Sequence, residues 1–274
     1  DHRVQGKLVC HYCGHAVAQL KECMSCHAKE SFVACGPGVE RLAEEVAGRF
    51  SHLKYCIISS DLISNVQELD RILSQIKNNE VSIIIGTQMI AKGHHFPHLT
   101  LVGVIDADLG LQGGDLRGSE RTYQLLQQVG GRAGREQKSG KVWLQTYYPE
   151  HPVMQALITG DREKFIEQEL FMRESNLMPP FSRLAALILT GMDEEKVKLE
   201  ALRLLSVVPK NPSVEILGPA PSPIYMIRGR YRWRILVKGP RNYNLQKFLK
   251  LWLYSIKLPS SVRLKIDIDP YNFL

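Results

Sequence analysis

Val81-Ser82-Ile83-Ile84-Ile85-Gly86-Thr87-Gln88-Met89-Ile90-Ala91-Lys92-Gly93-His94-His95-Phe96-Pro97 reads as a buried β-branched run that breaks at a glycine into a polar loop. Upstream, Val66, Leu69, Ile72, Leu73 and Ile76 repeat at helical spacing, and Tyr55–Ser59 is another short strand-like run. A helix carrying Val39, Leu42, Ala43, Val46 and Phe50 follows Gly36-Pro37-Gly38. Downstream, Thr100–Ile105 and Lys141–Tyr147 read as strands and Glu120–Val129 as a helix. Strands alternating with helices predict an α/β unit built on parallel strands. In such sheets ligands gather at the carboxyl ends of strands, where the amides, hydroxyl and Lys of this loop can meet phosphate.

Helical periodicity continues over residues 151–175, interrupted at Gly160-Asp161, and Met178-Pro179-Pro180 then punctuates the chain. Beyond it the pattern reads strand (Arg183–Thr190), helix (Asp193–Val208), strand (Val214–Leu217), strand (Tyr231–Val237), helix (Asn242–Ile256) and strand (Val262–Ile268). That is the βαββαβ order of ferredoxin-like domains. The 274 residues therefore divide into a cysteine-bearing segment at 1–35, an α/β unit at 36–180 and a C-terminal domain at 181–274.

The net charge of +7 is unevenly distributed. Residues 181–274 carry 16 Lys and Arg against 7 Asp and Glu, net +9, and the rest of the chain is net −2. A basic C-terminal domain admits nucleic acid as a partner. Arg228, Arg230, Arg232 and Arg234 alternate there with Gly229, Tyr231 and Trp233. In an extended strand the four guanidinium groups share one face, suited to DNA phosphates, and the aromatics turn toward a core. The competing reading is an edge strand kept soluble by charge. No apolar run approaches the ~20 residues of a membrane span, and no signal pattern is visible. A chain opening Asp1-His2-Arg3 reads as a piece of a longer protein.

Cys10, Cys13, Cys23 and Cys26 form C-x2-C-x9-C-x2-C, a spacing that lets two thiolate pairs converge on one structural Zn²⁺. Zinc thiolates, with the isolated Cys35 and Cys56, point to a reducing compartment. Gln128-Val129-Gly130-Gly131-Arg132-Ala133-Gly134-Arg135 places two arginines three residues apart, on one face if helical. Such guanidinium forks can grip phosphate or neutralise charge that develops during phosphoryl transfer. Asp106 and Asp108, after the strand at 100–105, read as polar strand-end residues rather than metal ligands.

Taken together, Gly86–Pro97, Leu101–Leu111 (LVGVIDADLGL), Arg117–Arg135 (RGSERTYQLLQQVGGRAGR), the paired CxxC segment and the ending Ile268-Asp269-Pro270-Tyr271 resemble the PriA (primosomal protein N-prime) family of replication-restart helicases. The first and third segments resemble motifs V and VI of superfamily 2. The resemblance implies a second RecA-like lobe with part of a zinc module, and 3′-to-5′ DNA unwinding driven by ATP and Mg²⁺ at stalled forks. It implies that Arg132 and Arg135 serve catalysis, with Arg135 the arginine finger. Thr87, Gln88, Lys92 and Gly93 would couple nucleotide state to DNA, and Gln128 and Gly131 would position the arginine helix. Implied partners are branched or forked DNA, primosome and replicative-helicase loading proteins and single-stranded DNA-binding protein, in bacterial cytoplasm at the nucleoid. Four CxxC pairs bind two zinc ions in that family, so the two pairs here would take partners from upstream.

Two departures are Ser82 and His95, at positions where the family commonly has Asp. The chain has no G-x-x-x-x-G-K-[ST] loop, so it is expected to be inactive alone as an ATPase. The alternatives are a non-enzymatic zinc-containing DNA-binding adaptor with a decayed motor lobe, and a branched-DNA translocase of the same superfamily.

Overall fold

The structure, a computed structural model, describes residues 2–4, 7–10, 16–18, 22–23, 25–29, 38–59, 65–87, 96, 98–111, 115–131, 133 and 140–272. Two compact units emerge: Asp1–Phe32 with Asp115–Arg117 and Glu163–Leu274, and Val33–Gly114 with Gly118–Arg162. Among the described residues no helix is long and apolar enough to cross a membrane.

The chain begins with a small antiparallel sheet in the order β1 (His2–Val4), β2 (Lys7–Val9), β3 (Ala16–Ala18). In the second unit, α1 (Val39–Arg49) precedes β4 (Tyr55–Ile58), α2 (Val66–Lys77) and β5 (Ile83–Gly86). Asn65 caps α2 by accepting the Glu68 N–H at 2.8 Å, which satisfies one of the amides a helix start leaves unpaired. Most of the apolar stripe foreseen on this helix packs as expected, with Leu69, Ile72, Leu73 and Ile76 around the fully buried Ile58 and with Phe96, while Val66 in the first turn is exposed. β4 and β5 run parallel, with Tyr55 opposite Ile83 and Ile58 opposite Gly86. β6 (Leu101–Val104) and β7 (Lys141–Leu144) form a second parallel pair. Between these two strands lies α3 (Gly118–Gly130), anchored by buried Thr122, Tyr123 and Leu126. The strands thus pair in parallel as the sequence indicates, in two pairs of two.

The helical stretch at 151–175 divides where expected. α4 (Pro152–Thr159) starts with proline in its first turn and stops at Gly160, whose φ of 73° is left-handed and costs glycine nothing. α5 (Arg162–Ser175) follows, and its Arg173 pairs with Glu169 at 2.9 Å while donating to the carbonyls of Leu116 and Pro179.

The C-terminal segment comprises β8 (Ser182–Gly191), α6 (Glu194–Ser206), β9 (Glu215–Ile227), β10 (Arg230–Pro240), α7 (Leu245–Leu253) and β11 (Val262–Ile268). Its sheet has the order β11-β8-β10-β9 with every neighbour antiparallel. Asp193 and Asn244 cap the two helices through the amides of Lys196 and Lys247. The helices cover one sheet face, where Leu187, Leu189, Ile235, Val237, Val197, Ala201, Leu245 and Trp252 are essentially removed from water. Truncating a buried leucine of this kind to Ala costs roughly 2–5 kcal/mol. Trp252 Nε1 donates to Leu204 O at 3.0 Å, so the ring is buried with its polar edge satisfied.

One element differs markedly from its sequence reading. β9 was expected to end at Leu217, before Gly218-Pro219-Ala220-Pro221-Ser222-Pro223, yet it continues to Ile227. It lies at the edge of the sheet, where a proline lacking an N–H removes no interior ladder bond. Two register shifts against β10 absorb the irregular geometry. Gly218 fits because its φ is 101° and a Cβ there would lie 2.9 Å from Arg234 O.

Candidate functional site

Three of the four parallel strands in the α/β unit lead at their carboxyl ends into segments that carry candidate residues. After β5 the chain passes from Gly86 to Thr87, which is exposed. Gln88, Lys92 and Gly93 lie outside the described residues. After β6 comes Asp106, with a left-handed φ of 59°, then Ala107 and the fully buried Asp108. After β7 come Thr146 and Tyr147.

Asp108 joins the last two segments. Its Oδ1 accepts the Thr146 hydroxyl at 2.5 Å and its Oδ2 accepts the Tyr147 N–H at 2.7 Å. Ala107 N–H and Gln145 N–H donate to Gln145 O and Val104 O, carrying backbone pairing past the strand ends. A buried carboxylate needs such donors, because desolvation otherwise penalises its charge. With both oxygens engaged by protein donors, Asp108 is a clamp between strand ends. No local pattern points to its partners, since Thr146 and Tyr147 are 38 and 39 residues away.

The arginine motif leaves the C-terminus of α3. Gln128 and Gly131 are exposed there. Gly131 N–H donates to Gln127 O at 2.9 Å and Ala133 N–H to Gly130 O at 3.2 Å, so the segment continues in hydrogen-bonded turns. Arg132 and Arg135 themselves lie outside the described residues.

Of the four clustered cysteines, Cys13 lies outside the described residues, and Cys10, Cys23 and Cys26 form no disulfide among the described residues. Among the described residues no group of three or more His, Cys, Asp or Glu side chains is placed to hold a metal ion. The second CxxC nonetheless has a local geometry suited to a metal thiolate. Cys23 N–H donates to Ala28 O at 2.9 Å and His27 N–H to Cys23 O at 2.8 Å, with His27 at a left-handed φ of 58°. Glu22 and Lys29 close this tight turn as an antiparallel bridge. The Cys26 and Ser25 amides point at the Cys23 sulfur and lower its pKa, favouring the thiolate that binds metal. Cys56 behaves oppositely: burial pushes its thiol up to about 11.

In the C-terminal segment, Arg228 falls in the β9–β10 turn with a left-handed φ of 51°, followed by Gly229 at 71°. The extended alternation therefore begins at Arg230. Arg230 and Arg234 are half-buried and Arg232 is buried, donating from Nη1 to Ile224 O at 3.2 Å. Burial lowers the pKa of both Arg232 and Arg234, and the neighbouring Arg232 charge adds to the effect on Arg234. Trp233 packs into the helix-covered core, and Tyr231 meets Tyr225 edge-on at 5.4 Å between ring centres. β11 repeats the alternation as Arg263 and Lys265 between apolar residues. That period-two signal was legible in the sequence but was read only as a strand.

Residues 174–271 match the primosomal protein N C-terminal domain, and residues 15–137 match the helicase conserved C-terminal domain. A replication restart protein PriA of Rickettsia felis is 48% identical over 272 residues, covering 99% of this chain and 42% of that protein. Proteins of the same name from Haemophilus influenzae and Bacillus subtilis are each 36% identical, over 99% and 100% of this chain and 37% and 34% of their own lengths. The chain thus spans about two fifths or less of these relatives. With two matched domains in succession and relatives of one name aligned along nearly its whole length, the chain belongs to the PriA family of replication restart proteins and corresponds to their C-terminal portion.

Proposed function

We propose that this chain supplies the second motor lobe and the C-terminal domain of an ATP-dependent 3′-to-5′ DNA helicase that assembles primosomes and restarts stalled replication forks. The observation carrying this reading is the Gln128–Arg135 motif leaving the end of α3, in a chain aligned over 99% of its length with a replication restart protein. In the intact protein, the lobe bearing a Walker loop holds ATP and Mg²⁺. Arg132 and Arg135 bring positive charge to the γ-phosphate, while Thr87, Gln88, Lys92 and Gly93 link the nucleotide to DNA. Gln128 and Gly131 position the helix end that precedes the arginines. The strand order β11-β8-β10-β9 with two crossing helices supports a ferredoxin-like reading of residues 181–274. The boundaries at 35 and 180 belong to this proposal. So do forked DNA, the primosome and helicase-loading proteins, single-stranded DNA-binding protein and a bacterial cytoplasmic setting.

Its test is a paired assay of this chain and of the intact protein with both lobes. The chain should bind DNA without DNA-stimulated ATP hydrolysis, and the intact protein should show both. DNA binding without stimulated hydrolysis in the intact protein would favour the adaptor instead.

Cys10, Cys13, Cys23 and Cys26 are the proposed zinc ligands, and the amide-supported Cys23 thiolate fits that role. Zinc here supplies structure, because four thiolates leave no coordination position for water. If the pairs take partners from upstream pairs, this chain retains at most one tightly held zinc ion and the intact protein two. Metal analysis of both after gel filtration measures this. Two tightly held ions in this chain would contradict the interleaved arrangement.

A further inference from the structure

Strand register brings together cations that are far apart in sequence. Thr190 of β8 lies between Arg232 of β10 and Arg263 of β11, and Ile188 lies between Arg234 and Lys265. Directly opposed residues point to the same side of a sheet, so all four cations share the face away from α6 and α7. Arg230 shares it by alternation along β10. Arg263 and Lys265 are exposed, and among the described residues Arg230, Arg232, Arg263 and Lys265 make no ion pair. Among the described strand residues of this face the acidic ones are Asp267, opposite Ala186, and Glu215, neutralised by Lys238 at 2.7 Å.

We infer that exposed Arg263 and Lys265, with half-buried Arg230, form one cationic sheet face that holds the phosphate backbone of duplex DNA, while buried Arg232, bonded to Ile224 O, adds positive charge beneath it. This rests on the DNA-helicase reading above and names the surface that reading leaves unassigned. The cations form two rows about 10 Å apart, one on each side of β8, with about 6.6 Å between successive same-face side chains along a strand. Cations so spaced match a polyanion. The kind of nucleic acid follows from what the face lacks. No aromatic residue of β8, β10 or β11 lies on it, because Tyr231 and Trp233 occupy the opposite face. Single-strand sites gain about 1–3 kcal/mol per base from stacking on aromatic rings, and these three strands offer none there. It suits a duplex, whose bases are already stacked and whose backbone carries the denser charge.

The test uses the full 274-residue chain and its Arg263→Gln/Lys265→Gln variant. Affinity is measured against salt for a blunt duplex and for a single strand with the same number of phosphates. Losing two phosphate contacts should lower the magnitude of the duplex log K versus log salt slope by about 1.8, and the affinity near 0.1 M salt on the order of tenfold or more. The single strand should be affected less. Arg263→Lys/Lys265→Arg should keep the parent slope, and unchanged thermal unfolding of both variants would show that the fold is intact. An unchanged duplex slope, or a larger loss on the single strand, overturns this assignment while leaving the helicase reading in place. A parent chain that binds neither DNA overturns both.

Discussion

Asp108→Ala should destabilise the α/β unit by about 3 kcal/mol, because it removes a charged acceptor and strands two donors in a site closed to water. The Thr146 hydroxyl and Tyr147 N–H both point at this carboxylate, and Asp108 has no solvent exposure. Hydrogen bonds to charged groups contribute about 1.5–3 kcal/mol each, and an unpaired buried donor costs about 1–3 kcal/mol. Partial relaxation of the Tyr147–Tyr148 segment toward water keeps the net loss below the simple sum. Asp108→Asn should cost less, since its carbonyl oxygen still accepts one bond while its amide faces a donor. Thermal unfolding of both variants tests this, with the Ala variant melting roughly 10 °C lower. Near-parent stability of Asp108→Ala would show that the clamp contributes little and reopen a ligand-binding role for the aspartate. Activity in the intact protein should fall in step with stability.

The legible parts of this fold are those written in local periodicity. The α2 stripe from Leu69 to Ile76, the break at Gly160 and the bounds of β11 follow from residue spacing and from punctuation by Gly and Pro. β9 was cut short because three prolines ordinarily end a strand, and only its place at the sheet edge makes them tolerable. Edge position is a property of the whole sheet, which no local window contains. The same limit hid the Asp108 clamp and the neighbourhood of Arg263 with Arg232, both fixed by pairings across many residues. The Arg228–Arg234 alternation was visible, but the turn that removes Arg228 from the strand required two consecutive left-handed residues. Arg is an uncommon occupant of that region, so composition favoured an extended reading. The motifs at Gly86–Pro97 and Gln128–Arg135 were legible as chemistry because residue type and spacing carry their meaning.

In the intact protein, Arg135→Ala should lower the proposed DNA-stimulated ATP turnover by roughly 10³–10⁵, the range typical for loss of an arginine finger. In the proposed role the charge acts chiefly on negative charge that grows at the γ-phosphate as the transition state forms, so turnover should fall far more than nucleotide affinity. Arg132→Ala should also impair hydrolysis, with weaker nucleotide binding if its guanidinium grips phosphate in the ground state. Neither change should unfold the lobe, because α3 is anchored upstream by Thr122, Tyr123 and Leu126. DNA binding should persist as well, since the cationic face of the C-terminal sheet is formed by other residues. The most direct measurement is ATP turnover and DNA affinity determined together on the intact protein and its Arg135→Ala variant. Turnover should fall at least a thousandfold with DNA affinity nearly unchanged. Near-parent turnover, or turnover and DNA binding collapsing together, would rule out the arginine-finger role.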